Sequence, residues 1–303
     1  MSSDSDILVV RLMGGLGNQM FQYACAYALA KRRGLPLVVD CSLLGPPYGL
    51  GAFGIDARLA SVRQVELFNG SVGGGVWRRA LGWIRRRSGR FPLIIQQGND
   101  FDPSVFELVR TRACIVGRWQ SEKYFADAVA DVRKMYVPRI DLIDAQSHEI
   151  ACQADSRTMA IHVRRGDLLS DRRYALEIGA LATSYYHDAL AEARRRRGDI
   201  SRVVVFSDDP AWCRSELRLP CDMHVVERGR DSFSAIRDLW TLSQFSTIAV
   251  SNSTFGWWAA WLCGRDDPMA IVPARLTRSG AMDSPDFWPS RWITIDSEFV
   301  PLA

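Results

Sequence analysis

The chain has 303 residues, of which 48% are hydrophobic and 24% charged, and carries a formal charge of +4. That length suggests two domains, and the balance is that of an ordinary globular protein. The mild charge argues against a nucleic-acid partner, and no apolar run approaches the roughly 20 residues that a spanning helix needs. Residues 1–6 lack the basic start and apolar centre of a signal peptide. Seven cysteines are odd in number, widely spaced and without a Cys-x-x-Cys pair. This fits a reducing compartment and argues against a zinc cage. The four histidines form no metal-type cluster. The cytoplasm is the expected location.

Residues 7–11 read as a strand, and Met13-Gly14-Gly15-Leu16-Gly17 as a tight glycine loop. Asn18 is expected to cap a helix that runs to Arg33, with Gly34 as its stop. A strand at 37–40 completes a β-α-β unit. Residues 42–110 read as irregular. They include a basic patch at Arg78, Arg79, Arg85, Arg86, Arg87 and Arg90, interleaved with aromatic residues. A strand is expected at 113–116 and a helix at 121–136, closed by Pro138. The polar stretch 137–156 fits a helix, a linker or both. From 157 the β/α rhythm is plain, with strands at 158–163, 203–206, 223–226 and 247–250. Helices are expected at 185–197, just after Pro210, and at 233–243 and 255–262. The strand at 270–272 reads as the last. The expected fold is α/β, as two domains, 1–150 and 151–303.

Strand 158–163 ends in Ile161-His162-Val163-Arg164-Arg165-Gly166-Asp167. In open α/β sheets ligands gather at the C-terminal strand edge, and arginine offers a planar fork of donors that fits phosphate oxygens. Alternation places His162 and Arg164 on one side and Val163 on the other. A solvated arginine pair at a strand end is the equal alternative. The loop Gly14-Gly15-Leu16-Gly17 fits an anion at a helix N-terminus or a plain tight turn. It is neither a Walker loop nor a dinucleotide fingerprint. Ser207-Asp208-Asp209 is expected to give support, one aspartate capping the next helix and one pairing with Arg164 or Arg165. Asp238 lies within an apolar helical pattern, where an acid needs a partner, and a guanine base is one candidate. Ser251-Asn252-Ser253-Thr254 fits a diphosphate cradle and an ordinary N-cap run equally. Trp257, Trp258 and Trp261 read as core, and Arg194–Arg197 as a solvated helix end.

Four segments together resemble the α-1,2-fucosyltransferases of glycosyltransferase family 11. They are Gly-Gly-Leu-Gly-Asn-Gln-Met-Phe-Gln-Tyr-Ala (14–24), His-Val-Arg-Arg-Gly-Asp (162–167), Phe-Ser-Asp-Asp (206–209) and Ser-Asn-Ser-Thr-Phe-Gly-Trp-Trp-Ala-Ala-Trp-Leu (251–262). The resemblance implies a GT-B fold, two Rossmann-like domains facing across a cleft, with GDP-fucose held by the C-terminal one. It implies a β-galactoside acceptor, inversion, and no required cofactor or metal. Carried onto this chain, Arg164 binds the β-phosphate and polarises the leaving group. His162 and Asp238 read guanine and ribose, and Ser253 and Thr254 hold the diphosphate. Asn18 reaches the pyrophosphate or fucose. Asp167 is the first candidate base, with Asp171 and Glu177 behind it. Gly256 stands where serine is frequent in the family and is expected to alter packing only. The arginine patch fits peripheral contact with an anionic membrane, or a solvated loop. The competing readings are another sugar-nucleotide transferase, a non-catalytic glycan binder, and a Rossmann oxidoreductase that lacks its fingerprint.

Overall fold

The computed structural model describes residues 6–44, 48–55, 57–69, 92–229 and 231–302. The basic patch at 78–90 lies outside them. The chain divides into two compact units, Met1–Tyr136 and Val137–Ala303.

The first unit is built on a four-stranded parallel sheet of order β2-β1-β4-β3. Its strands are β1 (Leu8–Arg11), β2 (Leu37–Asp40), β3 (Leu93–Ile95) and β4 (Ala113–Val116). Its helix α1 (Leu16–Arg33) is buried on nearly all sides between Gln19 and Ala30, with Met20, Phe21, Ala24, Ala28 and Leu29 among its apolar residues. Gly34 ends α1 in the left-handed region at φ 65°, its N–H donating to Ala30 O and Lys31 O. Short helices α2 (Val62–Asn69) and α3 (Val105–Leu108) follow. Among the described residues, the region read as irregular therefore holds β3, these two helices and a 3₁₀ turn at Gly49–Ala52. The helix expected at 121–136 is a 3₁₀ stretch, Glu122–Ala128, joined at a kink to α4 (Val129–Met135). Phe125 at φ −129° breaks its geometry.

The second unit carries six parallel strands in the order β10-β9-β8-β5-β6-β7. These are β5 (Thr158–Val163), β6 (Arg202–Ser207), β7 (Asp222–Val225), β8 (Thr247–Val250), β9 (Met269–Pro273) and β10 (Ile293–Ile295). Counted within the unit, this is the doubly wound order 3-2-1-4-5-6 of a Rossmann fold. Strand β9 is not the last, because β10 pairs with it at Ile293–Ile271. The helices are α5 (Ala145–Ala151), α6 (Gly166–Ser170), α7 (Arg172–Glu177), α8 (Thr183–Arg197), α9 (Pro210–Glu216), α10 (Ser234–Leu242) and α11 (Thr254–Trp261).

Strand β5 is buried throughout. Its Met159, Ile161 and Val163 join Val203, Val205 and Ala249 against Tyr185, Tyr186 and Ala189 of α8. Burying each such aliphatic side chain contributes about 1.5–3 kcal/mol. His162 belongs to the opposite face, beside Phe255 of α11. The expected alternation of His162 and Val163 holds. Trp257, Trp258 and Trp261 are core, at most 1% exposed.

The boundary expected at residue 150 falls at 136–137. The reason is an ionic clamp. Asp144 caps α5 by accepting from Ser147 N at 2.8 Å, and it also meets Arg228 at 3.3 Å and Arg237 at 3.1 Å. Arg237 Nε donates to Leu142 O at 3.0 Å. Residues 142–151 are thereby bound to α10.

Candidate functional site

In a doubly wound sheet the crevice opens where the strand order reverses. In the second unit that point lies between β5 and β8, so the turns after these strands are neighbours. Ser251 ties them together. Its hydroxyl donates to His162 O at 2.8 Å, accepts from Arg164 N at 3.1 Å, and lies 2.8 Å from the Tyr186 hydroxyl. Asn252 turns into the protein, its Nδ2 donating to Gly179 O at 3.1 Å and Leu276 O at 2.9 Å. Ser253 is the N-cap of α11, its Oγ accepting from Phe255 N at 3.2 Å. Thr254 opens that helix, half-buried. The N-cap reading of this run is correct, and a capped helix start is also where an anion is favoured. His162, Arg164, Ser253 and Thr254 are thus gathered at one strand edge.

The turn after β5 is held from β6. Asp208 accepts from Arg165 N at 2.9 Å through one carboxylate oxygen and from Gly166 N at 3.0 Å through the other. Asp209 caps α9, accepting from Trp212 N at 3.1 Å, and lies 3.9 Å from Arg165 Nε. The expected division of labour holds for Asp209. Asp208 differs, since it grips the main chain of the arginine pair. The two arginines also part company. Arg165 is buried with its guanidinium 3.6 Å from the centre of the Trp212 ring, a packed cation–π pair. Arg164 is half-exposed at the strand edge.

His162 is 8% exposed, its ring 5.3 Å from that of Phe255. Its Nδ1 is buried without a hydrogen-bond partner. Burial, helped by the charge of Arg164, pushes its pKa down to about 3. The imidazole is therefore neutral at physiological pH. A Cβ on Gly256 would lie 2.9 Å from His162 Nδ1 and 2.8 Å from Val250 Cβ. Gly256 thus makes room for the histidine ring, a relation that no spacing in the sequence reveals.

Asp238 already has a partner. Its Oδ1 accepts from Arg228 Nε at 2.6 Å, and the Arg228 side chain is only 5% exposed. Burial raises the Asp238 pKa, with Arg228 opposing. The partner that a buried acid needs is thus Arg228, within the protein itself. Asp171 is the N-cap of α7, accepting from Arg173 N at 2.8 Å, and the Arg173 side chain holds its pKa below the usual carboxylate range. Glu177 is exposed, and the Asp167 side chain lies outside what is described. The arginine run 194–197 is a helix end in which every member is paired: Arg194 to Ile200 O and Pro220 O, Arg195 and Arg196 to Glu192, and Arg197 to Asp267.

In the first unit the strand order reverses between β1 and β4. The N-cap of α1 is Gly15, with no side-chain cap, so the expected cap at Asn18 is corrected. Asn18 sits in the first turn, and its Oδ1 accepts from Gln120 Nε2 at 2.8 Å. Gln120 follows β4, so this bond joins the two turns. Gln22 grips Met13 twice, accepting its N–H at 2.9 Å and donating to its O at 3.2 Å. Gln19 donates to Gly14 O at 3.0 Å and accepts from Gly49 N at 3.0 Å. Gly14 needs its left-handed φ of 76° here. Sequence reasoning noticed the glycines and missed the two glutamines, whose signal was amides one helical turn apart. Among the described residues no group of His, Cys, Asp and Glu is placed to hold a metal, and no helix is long and apolar enough to cross a membrane.

The model of glycosyl transferase family 11 matches residues 114–296. The chain belongs to that family. The match spans the whole β5–β8 site and excludes the glycine loop. An Escherichia coli α-1,2-colitosyltransferase is 28% identical over 96% of this chain and 99% of its own length. A Caenorhabditis elegans galactoside 2-α-L-fucosyltransferase is 28% identical over 63% of this chain and 55% of its own. A solved structure of an Arabidopsis thaliana FUT1 variant with GDP is 13% identical, covering 89% of this chain and 70% of that one, with a TM-score of 0.48. The fold assignment rests on the strand orders above: two Rossmann-like α/β units, the kind from which GT-B enzymes are built.

Proposed function

We propose that this chain transfers L-fucose from GDP-fucose to O2 of a β-galactoside, inverting the anomeric centre. The observation that carries the reading is the cluster at the β5–β8 switch point. There an arginine, a buried neutral histidine and a capped helix start share one strand edge in a family 11 chain. The GT-B cleft belongs to this reading.

In the proposed mechanism the acceptor hydroxyl attacks C1 of fucose as the C1–O bond to GDP breaks. Negative charge then builds on the diphosphate. Arg164 meets that charge with a fixed cation, and the start of α11 at Ser253–Thr254 adds partial positive charge. Asp208, by fixing the backbone of Arg165 and Gly166, holds the turn in place. Asp238, oriented by Arg228, takes the guanine edge with its remaining oxygen. Asp167 is the candidate for receiving the acceptor proton. No metal is needed, because guanidinium supplies the neutralising charge. The enzyme works in the cytoplasm, and its arginine patch is either a solvated loop or a contact for anionic lipid. If it is a lipid contact, changing Arg85, Arg86 and Arg87 to glutamate should abolish liposome binding.

The test is GDP release from GDP-fucose with lactose in EDTA. Turnover with an α-1,2-linked product supports the reading, and a folded protein that neither binds GDP-fucose nor turns it over rejects it. One comparison favours a second donor, since the Escherichia coli relative that covers nearly this whole chain is named for colitose. Colitose is fucose without its 3-hydroxyl. A site that hydrogen-bonds that hydroxyl rejects the deoxy sugar steeply, so the rate ratio for GDP-fucose against GDP-colitose decides between them.

A further inference from the structure

We infer that Gly256 fixes the tautomer of His162, so that this residue presents a permanent Nε2–H donor to an oxygen of the sugar nucleotide. The inference deepens the proposed function and rests on it for the identity of the ligand.

His162 Nδ1 is buried and bonded to nothing, whereas Nε2 is not among the sealed, unsatisfied atoms of the described residues. What Nδ1 faces is the backbone of Gly256, whose missing Cβ would sit 2.9 Å away. A proton on Nδ1 would be sealed there with no acceptor in reach, whereas a bare lone pair needs no donor as urgently, and a Cβ at 256 would crowd the atom. Orphaned buried N–H groups are the rarer and costlier kind. The proton is therefore assigned to Nε2, the tautomer that leaves no buried N–H without an acceptor. The Phe255 ring lies 5.3 Å from the imidazole, and Val250 Cβ would be 2.8 Å from a Cβ on Gly256, so position 256 has no room for a side chain.

The position of the ring gives the donor its use. His162 is the penultimate residue of β5 at the switch point, and its carbonyl accepts from the Ser251 hydroxyl at 2.8 Å. Main chain and ring are thus both fixed beside the Arg164 turn. A neutral N–H there binds a phosphate or ribose oxygen and does not alter the net charge of the site. Gly256 is a positioning residue in this scheme, because it acts only through His162.

Two measurements test this. The first is the ¹⁵N spectrum of ring-labelled, ligand-free protein, assigned with His162→Gln. A pyridine-like Nδ1 and pyrrole-like Nε2 are expected, and the reverse tautomer or an exchanging mixture overturns the inference. The second is calorimetry of GDP binding by isosteric variants. Glutamine places an amide N–H near the Nε2 position, and asparagine near Nδ1. His162→Gln should keep GDP affinity within about threefold, while His162→Asn should lose about tenfold or more. Gly256→Ala should lose affinity as well, with an altered His162 ¹⁵N signature. Equal losses in the glutamine and asparagine variants, in a parent that binds GDP, overturn the donor role. A parent that binds no GDP sinks the proposed function instead, and leaves the tautomer to the spectrum.

Discussion

The two units carry the same topological feature and furnish it with different chemistry. In each, a parallel sheet reverses its strand order beside its first strand, and the turns after the two central strands are tied by side chains. In the first unit those ties are neutral amides, Gln19, Gln22 and the Asn18–Gln120 pair. The cation at the end of β1, Arg11, is matched by buried Asp40 at 2.8 Å, and beyond it stands exposed Arg118. In the second unit the turn carries two arginines, a carboxylate that grips its backbone, and a neutral histidine. The amides of Gln19 and Gln22 are buried and spent on the main chain around their own turn, whereas a guanidinium at a strand edge matches phosphate. Topology supplies the place for a ligand, and the residue types at the turn select its class.

The sharpest way to break this contrast is Arg164→Ala. GDP release from GDP-fucose in EDTA should fall about a hundred- to a thousandfold, the scale of losing one group that stabilises developing charge. Arg164→Lys should recover only part of it, because the fork is lost. An unchanged rate in the alanine variant would place the diphosphate elsewhere.

Next come the two backbone clamps. Asp208→Ala leaves the N–H groups of Arg165 and Gly166 without acceptors and should lower unfolding stability by about 1–3 kcal/mol. Gln22→Ala does the same to Met13 in the first unit, on the same scale. The units should differ in calorimetry: GDP affinity falls with Asp208→Ala and holds with Gln22→Ala. Equal effects on GDP would erase the distinction drawn above.

The pH dependence of stability has a definite sign. The folded His162 titrates near 3, below the 6.5 of a free imidazole. Protons therefore bind the unfolded chain first. The stabilisation is complete above 6.5 and declines as pH falls from 6.5 toward 3. Between pH 7.5 and 5 this group should cost about 2 kcal/mol. Urea unfolding of the parent against His162→Gln should show the extra acid sensitivity in the parent alone. The smallest effect is expected for Asn18→Ala, about 1 kcal/mol from the lost Gln120 bond. A rise in KM for GDP-fucose beyond that would assign Asn18 to the donor, and an unchanged KM would confine it to its own turn.

Much of the fold was legible because local rules suffice for it. The strands at 37–40, 113–116, 158–163 and 247–250 are short apolar runs bounded by turn residues, and each appears with those bounds. Gly34 and Ser253 act as helix boundary signals for the same local reason. Strands β3 and β10 were missed because each is three residues long and defined only by the neighbour it pairs with. The unit boundary was misplaced because Arg228 and Arg237 capture residues 142–151 from far along the chain.

The sequence by itself determined the α/β class, the family motifs and the arrival of His162 and Arg164 at the end of a buried strand, since period-two alternation and glycine-rich turns are local properties. Only the tertiary structure decided which of two adjacent arginines packs on Trp212, that Asp238 is answered by Arg228, and that Gly256 exists to seat the ring of His162. Those outcomes depend on contacts between residues ten to nearly a hundred positions apart. There, burial and the need to satisfy each polar group are settled by neighbours in space, whose identity no window of sequence contains.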